Sequence, residues 1–122
     1  MIPAGTRIWV CTTPVDMRKS FDGLAAAAQT EMAKNPESDG LFVFVNKRGN
    51  RLKALWWDRT GYALLYKRLE WGQFRLPAFT KGATSVSIDV RELGQILLGV
   101  GLPPKKHRMR DRVERDSWQA RS

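Results

Sequence analysis

Apolar side chains recur with a period of two through the middle of the chain, which predicts a β-sheet. Leu41–Val45 is a continuous apolar run, typical of a strand covered on both faces. Residues 51–57 and 62–69 alternate between two faces, which predicts two further strands. The turns between them, 46–49 and 58–61, each begin with Asn or Asp and end with Gly. This chemistry favours type I turns closed by a left-handed glycine, and therefore three consecutive antiparallel strands.

Short β-prone segments and one long helical stripe flank this region. Residues 7–12, 73–76 and 84–88 each predict a short strand. A helix is predicted from near Asp16 to near Asn35, with Asp16 or Ser20 as its N-cap. Its apolar positions have helical spacing and comprise Phe21, Leu24, Ala25, Ala28 and Met32.

A second helix is predicted over residues 90–98, with Asp89 as its N-cap and glycines after its end. Its core-facing positions are Val90, Leu93, Ile96, Leu97 and Val100. Together these elements predict one α+β domain over residues 1–102, followed by a basic, flexible tail over residues 103–122. We expect a mainly antiparallel sheet of four to five strands with two helices largely on one face. The other face should then be aromatic, basic and partly exposed.

Positive charge is concentrated on the predicted sheet. The chain of 122 residues has a net charge of +9. Residues 40–81 carry nine basic and two acidic side chains, and residues 105–122 carry seven and three. Such a balance favours a polyanionic partner, above all nucleic acid. The candidate DNA-binding cations are Lys47, Arg48, Arg51, Lys53, Arg59, Lys67, Arg68 and Arg75.

Two interpretations of this basic sheet remain open. Cations on turns suit contacts to DNA phosphates, and exposed Trp57, Tyr62 or Tyr66 would stack on unpaired bases. Alternatively, the aromatic side chains form the core and the cations are a solvated edge.

Catalytic and metal-binding chemistry finds little support in the sequence. The carboxylates are few and scattered, whereas a metal-dependent nuclease needs two or three that converge. Cys11 and His107 are the sole cysteine and histidine, which excludes an intrachain disulfide and a Cys₂His₂ zinc site. No phosphate-binding or dinucleotide-binding motif occurs. We therefore expect no catalytic residues, metal, cofactor or small-molecule substrate. With no signal peptide and no long apolar run, we expect a cytoplasmic protein without membrane contact.

Residues 16–24 read DMRKSFDGL. They resemble the DMRKxFDGL signature of the accessory proteins of the insertion-sequence 66 family, often called TnpB or Orf2-like and unrelated to the RNA-guided nucleases of that name. The resemblance continues through residues 41–77 and a leucine-rich helix over residues 92–100, while Ser20 replaces a frequent Gly. The signature residues are Asp16, Met17, Arg18, Lys19, Phe21, Asp22, Gly23 and Leu24.

This resemblance implies an accessory factor in DNA transposition, with the catalytic carboxylates on a separate transposase. DNA, the transposase and other proteins of the element are then the expected partners. The leading hypothesis is a non-catalytic protein that binds DNA phosphates within a transposase complex. The alternative is a protein-interaction module that binds the transposase with little direct DNA contact.

Overall fold

The fold is a five-stranded mixed sheet with two helices, seen in a computed structural model that describes residues 4–101. In chain order the elements are β1 (Ile8–Cys11), α1 (Phe21–Met32), β2 (Leu41–Val45), β3 (Arg51–Trp57), β4 (Tyr62–Arg68), β5 (Ser85–Ile88) and α2 (Val90–Leu98). The predicted tail over 103–122 lies outside the described residues. The prediction of a strand over residues 73–76 is wrong, because this segment forms only one isolated β-bridge, between Gln73 and Val100.

The strands lie in the order β4-β3-β2-β1-β5. β1 and β2 are parallel, with Ile8 opposite Leu41, and α1 forms the crossover between them. All other neighbouring strands are antiparallel. The predicted α+β class and mainly antiparallel sheet are therefore confirmed.

The two helices cover opposite faces of the sheet, so their predicted placement largely on one face is wrong. Phe42 and Phe44 of β2 pack with Leu24 and Met32 of α1. The alternate residues of β2 share the other cluster with Ile96 of α2 and with Phe74. Because β2 is apolar on both faces, each face needs an apolar cover. The second face is therefore a core and not the exposed, aromatic and basic surface that we expected.

The helix stripes are narrower than the sequence predicts. α1 begins at Phe21 rather than near Asp16, and Phe21 is 44% exposed instead of lying in the core. Ser20 occupies the N-cap position, but its side chain makes no capping hydrogen bond. In α2 the predicted stripe holds for Leu93, Ile96 and Leu97, whereas Val90 and Val100 are exposed.

The caps and turns show where local chemistry decides the backbone. Asp89 caps α2 in a capping box with Glu92, as its position predicts. Gly49 closes the first turn with a φ of +80°. In the second turn the positive φ, +86°, belongs to Arg59 and not to a glycine, so the prediction for this turn is wrong. The Asp58 carboxylate accepts hydrogen bonds from the backbone N–H groups of Thr60 and Gly61. These bonds favour the conformation in which Arg59 has the positive φ.

Candidate nucleic-acid interface

One end of the sheet brings together the two regions that the sequence singles out. Because β1 and β2 are parallel, the chain leaves both strands at the same end. The segment after β1 is the signature loop, residues 14–20, and the segment after β2 is the turn at residues 46–49. The N–H of Val15 donates to the carbonyl of Val45 at 3.0 Å, which fastens the loop beside the turn. We call this the basic end.

A shallow cleft of about 540 Å³ separates the loop from the turn. Residues 14–17 line one side, and Asn46, Lys47 and Arg48 line the other. Lys47 and Arg48 are exposed, as is Lys19 in the signature loop. Lys47 and Arg48 therefore place two exposed cations on the turn side of the cleft, whereas Lys19 lines a separate pocket with residues of α1.

Hydrogen bonds to other backbone and side-chain groups fix the shape of the turn at residues 46–49. The Asn46 side-chain oxygen accepts from the N–H groups of Asn50 and Arg51, each at 3.0 Å. The Gln73 side chain donates to the carbonyl of Arg48 at 2.9 Å, and the N–H of Phe74 donates to that of Gly49 at 2.8 Å. The exposed cations thus project from a rigid backbone.

Lys53 is buried, so it is not one of the exposed candidate cations. Its side chain is on the α1 face of β3 and is only 6% exposed. Its Nζ donates to the carbonyls of Met17 at 2.8 Å and Lys19 at 2.6 Å, and it lies 4.6 Å from the centre of the Tyr66 ring. Lys53 therefore holds the signature loop against the sheet and cannot reach a DNA phosphate from this position.

Three further candidate cations already have partners in the protein. Arg51 is half-buried and donates to the Tyr66 hydroxyl at 2.7 Å. Lys67 donates from Nζ to the carbonyl of Leu97 at 2.7 Å, where the last turn of α2 offers unpaired carbonyls. Arg68 forms an exposed ion pair with Glu70 at 2.7 Å. Of these, Arg51 and Arg68 face the same side of the sheet at the basic end, directly opposite each other.

Arg59 and Arg75 do not join the basic end. Arg59 lies in the turn at the other end of β3, which is seven residues long and so spans about 20 Å. Arg75 is exposed on the α2 face, where it lines a separate groove of about 360 Å³ together with Asp89 and Arg91. The eight predicted cations therefore occupy several environments, and only part of the set forms one surface.

The signature residues divide between surface and core. Asp16 and Arg18 form an exposed ion pair at 2.7 Å. Hydrogen bonds from the Arg18 side chain and then its backbone N–H lower the pKa of Asp16 to about 2. Leu24 is fully buried and Asp22 is exposed in the first turn of α1.

Other parts of the signature explain how the loop meets the fold. Met17 packs against the α1-side core. A Cβ on Gly23 would lie 3.1 Å from that of Lys19, so the absence of a side chain lets the loop approach the helix. The tether from Lys53 was missed by the sequence analysis. The sequence signal for it was that Lys53 lies on the same face of β3 as Leu55. Lys53 pairs with Phe44 of β2, and this pairing places the Lys53 side chain over the core.

Two of the aromatic side chains considered for base stacking contact each other. The rings of Trp57 and Tyr62 meet edge to face with centroids 5.0 Å apart. Within residues 4–101, no three His, Cys, Asp or Glu side chains are grouped so that they could hold a metal ion. None of the helices in the described part of the chain is long and apolar enough to cross a membrane.

Comparisons with known proteins identify one family and two similar relatives. The family described as IS66 Orf2 like protein matches residues 6–107. The chain is 37% identical over 102 residues to the uncharacterized protein y4hO of Sinorhizobium fredii, covering 82% of this chain and 87% of the relative. It is 40% identical over 83 residues to the uncharacterized protein y4jC of the same organism, covering 68% and 71%. No solved structure matches the chain. The signature, the sheet that follows it and the extent of these matches show that the chain belongs to the IS66 Orf2-like family of insertion-element proteins.

Proposed function

We propose that the protein is a non-catalytic accessory factor in transposition that binds duplex DNA through phosphate contacts at the basic end. The contacts come from Lys19, Lys47 and Arg48, with Arg51 behind them. The observation that carries this proposal is that the signature loop and the β2–β3 turn, each with exposed cations, lie at the same end of the sheet. DNA in the cytoplasm is then the polyanion that the net charge of +9 favours.

The electrostatics of the basic end support contacts to phosphates rather than to base edges. The nearby carboxylates of Asp16 and Glu70 are each paired with an arginine, and within residues 4–101 neither forms an ion pair with Lys19, Lys47 or Arg48. Long, exposed lysine and arginine side chains contact phosphates without reading sequence. We therefore expect weak sequence preference from this chain, with the choice of DNA site made by other components of the transposition complex.

The test compares two triple variants that remove the same charge from opposite ends of the sheet. The first is Lys19→Ala, Lys47→Ala and Arg48→Ala, at the basic end. The matched control is Arg7→Ala, Arg59→Ala and Arg91→Ala, which are exposed side chains at or near the other end. Titration of labelled duplex DNA over a range of salt concentrations gives the number of phosphate contacts, because each contact contributes about 0.9 to the log–log slope.

We expect the basic-end variant to bind all duplexes more weakly and to lose up to about 3 in the slope, while the control stays near the unmodified protein. Equal loss in both variants would show that net charge, and not this surface, determines binding. Absent or salt-insensitive DNA binding, together with nuclease-resistant co-purification with the transposase, would instead establish the protein-interaction module.

A further inference from the structure

β4 is an edge strand of the sheet. It pairs with β3 through seven successive residue pairs, from Arg51–Arg68 to Trp57–Tyr62, without a bulge. No other strand within residues 4–101 pairs with its outer edge. The Leu69 N–H donates to the Asn50 carbonyl, and the Asp58 N–H donates to the Gly61 carbonyl. These two bonds show which residue pairs of β3 and β4 are hydrogen-bonded and which are not. The N–H and C=O groups that point outward belong to Tyr62, Leu64, Tyr66 and Arg68.

This edge lacks the usual protection against pairing with another strand. Proteins shield edges with short strands, prolines, bulges or exposed lysines. β4 has seven residues and no proline, and its one lysine, Lys67, is bound to the carbonyl of Leu97. Leu65 and Tyr66 at its centre are 41% and 46% exposed. The opposite edge, β5, is four residues long and offers a much shorter template.

We propose that a second copy of this chain pairs with β4, antiparallel and about a two-fold axis at Leu65. This register uses all seven residues and places Leu65 of each copy side by side. Lys67 then faces Ala63 of the other copy, and Arg68 faces Tyr62, where a guanidinium can lie over an aromatic ring. A parallel arrangement would instead set Lys67 and Arg68 beside their own copies, which like charges disfavour. The sequence of β4 is therefore complementary to itself in the antiparallel register.

The resulting dimer is one continuous sheet of ten strands. The outward residues Tyr62, Leu64, Tyr66 and Arg68 are the ones that exchange backbone hydrogen bonds, while Leu65 sits in a non-hydrogen-bonded pair, where side chains are closest. The two basic ends then point in opposite directions along the strands. That the dimer would present two separate DNA-binding surfaces rests on the proposed function; the dimer itself does not.

Cysteine cross-linking of the full chain tests both the contact and its register. In a non-hydrogen-bonded antiparallel pair the two Cα atoms lie about 4.5 Å apart, within the range that a disulfide spans. Leu65→Cys should therefore form a reducible covalent dimer under mild oxidation. Ala63→Cys is the matched control on the same strand and face. In this register the Cα atoms of its two copies lie about 14 Å apart, too far for a disulfide. The native Cys11 is buried and does not compete.

We expect Leu65→Cys to cross-link at least tenfold faster than Ala63→Cys, and the unmodified protein to sediment with twice the monomer mass. Leu65→Lys, which sets two ammonium groups face to face, should shift the species to monomer while circular dichroism shows a folded protein. A monomer at all concentrations up to about 100 µM would overturn the proposal. Equal cross-linking of the two cysteine variants, or a dimer that Leu65→Lys leaves intact, would overturn it as well. Loss of DNA binding by the dimeric protein would contradict the proposed function and leave this interface standing.

Discussion

Replacing Lys53 with Met tests how the signature loop is held to the sheet. The Lys53 ammonium donates to the carbonyls of Met17 and Lys19, in the loop between β1 and α1. Methionine keeps most of the volume of the lysine stem but has no donor, so Lys53→Met removes both hydrogen bonds without leaving a large cavity.

The expected cost follows from two opposing effects. Hydrogen bonds from a charged donor are each worth about 1.5–3 kcal/mol, which gives a gross loss of about 3–6 kcal/mol for two. The variant also no longer buries an ammonium group, and replacing a buried charge with an apolar side chain returns part of that loss. The carbonyl of Lys19 lies in an exposed residue, where water can replace the lost donor. We expect a net loss of about 2 kcal/mol in the free energy of unfolding.

Urea denaturation measures this loss, and hydrogen exchange locates it. The amides of Arg18 and Lys19 bond to Asp16 within the loop and should exchange faster in Lys53→Met. Lys47→Met is the matched control, because the exposed Lys47 should change stability by less than about 0.5 kcal/mol. Since the buried Lys53 ammonium is held by two backbone carbonyls and does not reach the surface, the salt dependence of DNA binding by the folded variant should be unchanged. A Lys53→Met protein as stable as the control, with unchanged exchange in the loop, would refute the tether.

Three further predictions concern the turns, a cap and an ion pair. Arg59→Gly should raise the free energy of unfolding in urea by about 1 kcal/mol, because Arg59 has a φ of +86°. Gly49→Ala should lower it by a similar amount, because Gly49 has a φ of +80°. Changes of the opposite sign would contradict the backbone argument. Asp89→Ala should cost about 1 kcal/mol by the same assay, since it removes the side-chain acceptor of the α2 capping box, and a change near zero would contradict it. Arg18→Ala should raise the pKa of Asp16 from about 2 toward 3.8, as measured by NMR titration of the carboxyl group. Because the pKa of Asp16 is lower in the folded state, the contribution of this ion pair to stability is present at neutral pH and is lost as the pH falls from about 4 to 2. A difference in stability between variant and parent that does not change with pH would contradict the assignment.

The two proposed surfaces use different parts of the same sheet. The basic end consists of loops that leave the parallel strands β1 and β2, together with the ends of β3 and β4. The dimer interface is the outer backbone of β4, with Leu65 at its centre. Arg68 belongs to both regions, because it closes β4 and lies opposite Arg51. Variants at Lys47 or Arg48 and at Leu65 therefore separate DNA binding from self-association.

Local patterns were sufficient for much of the fold. The boundaries of β2 and β3 match the predicted ones, and the first turn has its left-handed residue at Gly49. Asp89 caps α2 as its position indicates. These features are recognisable in the sequence because alternation, turn chemistry and capping depend on residues only a few positions apart. The positive charge of the Lys47–Arg48 turn is visible in the sequence for the same reason.

Contacts between distant segments decided the remainder. The sequence of β2 shows that both its faces are apolar, but not that α1 covers one and α2 the other. Alternation assigns Lys53 to a face of β3, and only the packed signature loop buries that face and supplies two carbonyls. Arg59 has its positive φ because the Asp58 carboxylate draws in the following N–H groups. The sequence by itself thus determined the five strands that form, the first turn and the location of the charge, although it also predicted a strand over 73–76 that does not form. The tertiary structure decided which cations stay exposed, because burial and pairing depend on partners tens of residues away.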